Sequence, residues 1–341
     1  MRPETFIDAF ARADGPPPRA LWAFFGWALR GALPVLGAAF AISAIAGTAE
    51  VFTALLLGAV IDAALASGPE RFLAENGAML AAVAGFFLIV RPIAFGLSSA
   101  ANSIVVGPNI SPLVLSRLNR WTLGQPVSFF DDDFAGRIAQ KQMQTARAIT
   151  DVVTEVINVI AFALASVVGS VLLMTTIDGR VAAALALWLV AYFGLIRWFL
   201  PRIRRASAAR AGARATVSGQ VVDAVSNIKT VKLFALADHE DRAALDAMAR
   251  YRVKSLDFGR LAAWFRFSLM ALAGVLPVLL VGAVLALWAN GAASPGDIVA
   301  TGAIAIRIAQ MTGWVSFTLM GMYSSIGEVE NGIETLTPPT P

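Results

Sequence analysis

Six apolar stretches, residues 32–65, 79–106, 156–176, 181–199, 267–289 and 298–327, constrain this chain more than any other feature. At about 1.5 Å per helical residue, roughly 20 apolar residues cross a ~30 Å hydrocarbon layer, and each stretch is about that long or longer. Inside lipid every backbone polar group must be satisfied within the segment, which leaves helices or closed barrels. The stretches run continuously apolar and lack the strict alternation of barrel strands, so they select helices. The expected fold class is an all-α membrane protein with six transmembrane helices.

Composition agrees. Of 341 residues, 57% are hydrophobic and only 15% charged, where a soluble domain carries about a quarter charged. Mean hydropathy is +0.70. The net charge of +4 is modest, but its placement is lopsided. The connections after the first, third and fifth stretches hold two basic residues, Arg71 and Arg180, whereas the N-terminal segment and the other two loops hold twenty-two. The positive-inside rule therefore assigns those loops and the N-terminus to the cytoplasm, and six spans return the C-terminus to the same side. The expected location is a bacterial inner membrane. The basic group after Pro201 (Arg202, Arg204, Arg205, Arg210, Arg214) could bind an anionic lipid, but ordinary orientation charge explains it more simply. With no cysteine in the chain, disulfides and thiolate chemistry are excluded.

The chain divides into an N-terminal segment (1–31), a six-helix membrane domain (32–327) and an exit segment (328–341). Gly15–Pro18 forms a stiff linker, and the aromatic run 21–29 that follows is too short to span. Its tryptophans suit the headgroup region, which predicts an interfacial elbow helix. Residues 79–124 can stay helical for ~65–70 Å, so the second span projects well past the bilayer before turning at Gly124-Gln125-Pro126. Pro108 and Pro112 are expected to kink it. Residues 202–265 are polar and nearly free of turn signals, which predicts a second pair of long helices meeting near 234–242. Asp178-Gly179 and 289–297 carry turn chemistry on the other side.

The strongest local pattern is Gln125-Pro126-Val127-Ser128-Phe129-Phe130-Asp131-Asp132-Asp133-Phe134-Ala135-Gly136-Arg137, at the tip of the first large loop. Two aromatics at such a tip are expected to stand exposed as an anchor for a protein groove, or else to fold back onto the loop's own helices. A calcium loop starting at Asp131 fits at Asp133 and Gly136 but fails at Ala135 and Gln142. In this segment the chain resembles the membrane domain of ATP-binding-cassette exporters of the six-span half-transporter kind, whose first loop carries a similar Q-P-x-x-F-F-D turn followed by G-R-I. A second stretch, Asn227-Ile228-Lys229-Thr230-Val231-Lys232-Leu233-Phe234 with the acidic residues after it, is similar to the family's second coupling region. A third, Gly291-Ala292-Ala293-Ser294-Pro295-Gly296-Asp297-Ile298-Val299, looks like the family's approach to the last span. The family's frequent glutamate at position 237 is here Ala237.

The resemblance implies a dimer, a homodimer or a heterodimer, in which the fourth and fifth helices cross to the partner. It implies two coupling sites for a nucleotide-binding domain: Phe129, Phe130, Asp131, Asp132, Asp133, Gly136 and Arg137 at the first tip, and Phe234, Asp238, His239 and Glu240 at the second. ATP and magnesium would belong to that domain, because no Gly-x-x-x-x-Gly-Lys-Ser/Thr phosphate loop occurs in these residues. No catalytic group, cofactor site, metal site or nucleic-acid partner is expected within the segment itself.

Glu50, Arg91 and Arg307 lie in the first, second and sixth stretches, each ~16–22 Å from the outer end of its span. An arginine near the bilayer centre costs about 2.5–3.5 kcal/mol on insertion scales, so such residues face a cavity or a partner. They either pair and lock spans together, or line a translocation path, or both. The expected function is export of a lipophilic or amphipathic compound by alternating access. The rival reading is a motor-free membrane protein: a secondary transporter with Glu50 as proton carrier, or a receptor whose loops recruit a cytoplasmic partner.

Overall fold

A computed structural model describes residues 3–131, 135–233 and 237–337, which are helical almost throughout and contain no strand. Five runs are long and apolar enough to cross a membrane: Leu33–Leu123, Ile138–Ile177, Gly179–Ser226, Asp241–Ala289 and Pro295–Leu336. The first run holds two spans. Gly68 breaks it with φ +69° and ψ 166°, a conformation that suits glycine, and Pro69 restarts the helix where its missing N–H costs nothing. Extended backbone at Asp178 separates the third span from the fourth, and its carboxylate accepts the Arg180 N–H at 2.6 Å. A turn with Gly291 at φ +73° separates the fifth from the sixth. The expected six-span, all-helical membrane architecture is thus present.

The second span runs on to Leu123 and turns at Gly124, as its length and the Gly-Gln-Pro sequence require. It widens twice into π-helix, at Phe86–Val90 and Ala101–Val106. A proline follows each widening closely, Pro92 and Pro108. A proline ring lacks an N–H and collides with the carbonyl four residues back, and a wider turn relieves both problems. Pro112, by contrast, sits within continuous helix.

The chain forms two compact units, Met1–Ala186 with Leu276–Pro341, and Leu187–Val275. In the first, the first span packs against the second, third and sixth. Small residues make this possible. A side chain on Gly47 would strike the Phe162 carbonyl, and Ser166 Oγ donates to the Gly47 carbonyl at 2.8 Å. Gly58 and Gly296 bring the backbones of the first and sixth spans together in the same way.

The same unit has a dense apolar core beside the N-terminal segment. Helix Leu21–Ala28 buries Phe24, Phe25 and Trp27 against Ile110, Leu113 and Leu118, with Ile149, Val329 and Leu336 completing the cluster. Each such side chain contributes about 1.5–3 kcal/mol when fully buried. Trp22, on the opposite face of the short helix, stays exposed. The last helix does not stop at 327; Val329, Ile333 and Leu336 are buried and carry it to Leu336.

The second unit is a helical pair. Helix Gly179–Ser226 leads through Asn227 to the short helix Ile228–Leu233, and the chain returns along Ala237–Ala289. Trp188 Nε1 donates to the Leu272 carbonyl at 2.8 Å, Phe199 meets Phe265 at 5.0 Å, and the Arg210 guanidinium lies 3.9 Å over the Phe258 ring. These cross-contacts pair the returning helix with the outgoing one.

Candidate functional site

Glu50 stands on the first span one turn beyond Gly47, where close helix packing removes it from solvent; it is 1% exposed. A lone carboxylate there would be prohibitively costly, and two arginines answer it. Arg91 Nε donates to Glu50 Oε1 at 2.9 Å, and Arg91 Nη2 is 2.9 Å from the same oxygen. Arg307 Nη1 contacts the other carboxylate oxygen. The three spans named from sequence are therefore tied by one Arg–Glu–Arg cluster in their apolar interior. The arginines are not sealed in: their side chains are 40% and 33% exposed. Aromatic rings continue from them, with Phe95 5.5 Å under the Arg91 guanidinium, Phe162 5.7 Å from Phe95 and Trp314 6.2 Å from Phe162.

At the first tip, Phe129 and Phe130 pack edge-to-face, ring centroids 5.2 Å apart. They are half-buried against the core of the first unit, not freely exposed as expected from sequence, because the turn at Gly124–Pro126 folds helix 128–131 back over its own helices. Asp131 ends that helix, and Gly136 and Arg137 open the next, Ala135–Glu155. Asp132 and Asp133 lie outside the described residues, as does Phe234 at the second tip. Asp238, His239 and Glu240 fall in the first turn of helix Ala237–Ala289.

One anchoring residue escaped sequence reasoning. Arg117 is 3% exposed and donates to four carbonyls: Ala11 at 3.1 Å, Trp27 at 2.8 Å, Ala28 at 3.1 Å and Arg30 at 2.8 Å. It thereby satisfies carbonyls at the C-terminal end of helix Leu21–Ala28, where a positive charge is favoured. The guanidinium stays charged there. A signal existed. Ile110, Leu113, Val114 and Leu118 trace a buried helical stripe, and Arg117 occupies a position on it where periodicity calls for an apolar residue. Trp121 Nε1 and Arg19 Nε extend the network to the carbonyls of Leu336 and Thr337, at 3.0 and 2.8 Å.

At the other end of the bundle, Ser294 caps the last helix in a reciprocal capping box with Asp297, and Pro295 takes the first helical position. Asp62 of the first span accepts from Ser294 Oγ and from the Gly296 N–H, both at 2.6 Å. The Ser-Pro-Gly-Asp pattern thus has a physical reading: cap, helix start, close approach and return bond.

An all-helical, multi-pass membrane protein with a buried ion cluster and long helical loops is the class these features define. The chain matches the ABC transporter transmembrane region over residues 36–312, and it belongs to that family. It is 30% identical over 298 residues to a Haemophilus influenzae protein described as an uncharacterized ABC transporter ATP-binding protein; the match covers 86% of this chain and 48% of that one. The chain therefore spans about half the length of this curated relative. Its fold is similar to a bacterial Atm1-family ABC exporter solved with ATP bound, with a TM-score of 0.73 at 12% identity, over 91% of this chain and 54% of that structure.

Proposed function

We propose that this chain is the membrane-spanning part of an ATP-driven exporter that moves a lipophilic or amphipathic compound out of the cytoplasm by alternating access. The observation that carries the reading is the joining of three spans by Glu50, Arg91 and Arg307, with both arginines partly accessible and aromatic rings leading away from Arg91, within a chain of the ABC transmembrane family. The cluster lines the translocation path and holds its walls together. Both termini and the two long loops face the cytoplasm of a bacterial inner membrane, and the protein works as a dimer. The tips at 129–137 and 234–242 dock on a nucleotide-binding domain. The sequence carries no Gly-x-x-x-x-Gly-Lys-Ser/Thr phosphate loop. Nucleotide chemistry belongs to that other domain.

As a proton carrier Glu50 is poorly placed, because it is buried with an arginine on each carboxylate oxygen. Transport of a fluorescent amphiphile by the full-length protein in inverted vesicles tests the proposal. Uptake should require ATP and persist when an uncoupler collapses the proton gradient. Phe130→Ala should lower transport at least several-fold while ATP turnover continues. Uptake driven by the proton gradient without ATP would overturn the exporter reading.

A further inference from the structure

The charges in the six spans do not balance. Glu50 faces two arginines, and guanidinium groups do not give up their protons in proteins, so the cluster carries one excess positive charge in the apolar interior. The only other acidic residue within the six apolar stretches is Asp62, which is committed to Ser294 and Gly296 at the far end of its span. Gly47 packs on Phe162 and Val51 on Gly169, so Glu155, just outside the third stretch, lies ~15–20 Å further along the membrane normal than Glu50. The fourth and fifth stretches contain no acidic residue and add Arg197. A second copy of the chain therefore supplies no carboxylate to the cluster and doubles the excess. Arg307 Nε, buried, finds no acceptor among the described residues.

From this imbalance we infer that the transported compound is an anionic amphiphile, its acidic group held by Arg91 and Arg307 and its apolar body lying against Phe95, Phe162 and Trp314. The inference rests on the reading of this cluster as the translocation path. The geometry supplies both halves of such a ligand's site. Phe95 follows Arg91 by one helical turn and Trp314 follows Arg307 by two, so the rings lie on the arginine-bearing faces. Both helices run from the connection side toward the side that carries the termini. The acid therefore sits deep, and the body points back along the rings Phe95, Phe162 and Trp314. The partly exposed guanidinium edges remain available for bidentate hydrogen bonds to a carboxylate, sulfonate or phosphate.

The test is equilibrium binding without ATP, using the full-length protein in phosphatidylcholine nanodiscs. The probes are dansylaminoundecanoic acid and its methyl ester, each corrected for partition into empty nanodiscs. The acid should bind about tenfold tighter than the ester or better, the scale of one charge-assisted contact. Arg307→Gln leaves a balanced Glu50–Arg91 pair and should bring the two affinities within about twofold, whereas Glu50→Gln adds excess charge and should widen the preference. A purely structural cluster would lose binding in both variants alike. If Glu50→Gln does not assemble, Arg307→Lys against Arg307→Gln decides, because only the charge-conserving change should keep the preference. Equal binding of acid and ester by the wild type, or a parallel change in Arg307→Gln and Glu50→Gln, overturns the inference. Acid preference in a protein that fails ATP-dependent uptake would leave the anion site standing and reject the exporter reading instead.

Discussion

Asp62 Oδ1 accepts the backbone N–H of Gly296 at 2.6 Å, across 234 residues of sequence. The bond is possible because neither Gly296 nor Gly58 has a side chain to separate the two backbones. A Cβ at Gly296 would fall on the Asp62 carboxylate and the Gly58 carbonyl, neither of which can yield without breaking the cap of the last helix. Gly296→Ala should therefore destabilise the protein by about 1–3 kcal/mol, the usual cost of overpacking. Gly37→Ala, where nothing lies within reach, should be neutral or slightly stabilising. Thermal unfolding of the full-length protein in nanodiscs checks both, and equal behaviour of the two variants would refute the close approach.

The Arg–Glu–Arg cluster predicts a non-additive pattern of stability. Glu50→Gln strands two guanidinium groups and should cost up to about 3 kcal/mol, the lower end for a broken buried pair because both arginines reach partly into solvent. Adding Arg307→Gln should recover part of that loss. A double-mutant cycle by thermal unfolding would show a coupling well above experimental error; simple additivity would mean that the contact contributes nothing.

Arg117 should matter more than its charge. Replacing it with alanine leaves four carbonyls without their donor and should cost about 2–3 kcal/mol. Lysine, with a compact ammonium in place of the planar fork, cannot reach all four and should restore only part. Limited trypsin digestion offers a local readout, since cleavage after Arg12 and Arg19 should accelerate in Arg117→Ala before the bundle itself unfolds. Unchanged digestion rates would show that the N-terminal arm is held elsewhere.

The spans were legible because lipid imposes a length and an apolar run that few other structures share. The ion cluster was legible for the complementary reason: Glu50, Arg91 and Arg307 are conspicuous where charge is expensive. Arg117 was hidden because its helix lies in a polar segment, where an arginine is unremarked unless the stripe of Ile110, Leu113, Val114 and Leu118 is traced first. The clasp between Asp62 and Gly296 was half legible. The capping pattern around Ser294 could be seen locally, but its partner on the first span could not, because local sequence says nothing about which helix comes close. The two π-helical widenings of the second span had their cue in Pro92 and Pro108, although proline alone does not say whether a helix will bend, break or widen. For Phe129 and Phe130 only the degree of exposure differed from expectation. Aromatics in a loop signal burial, and sequence does not reveal whether the burying surface belongs to a partner or to the chain itself.

The N-terminal arm ends in a grip on the last helix. Arg19 holds the Thr337 carbonyl and Trp121 holds that of Leu336, so both the arm and the extension of the second span are fastened to the final turn of the chain's last long helix. An axial pull arriving at Thr337 is therefore not carried by that helix alone. It is shared with the arm through Arg19 and with the extension of the second span through Trp121.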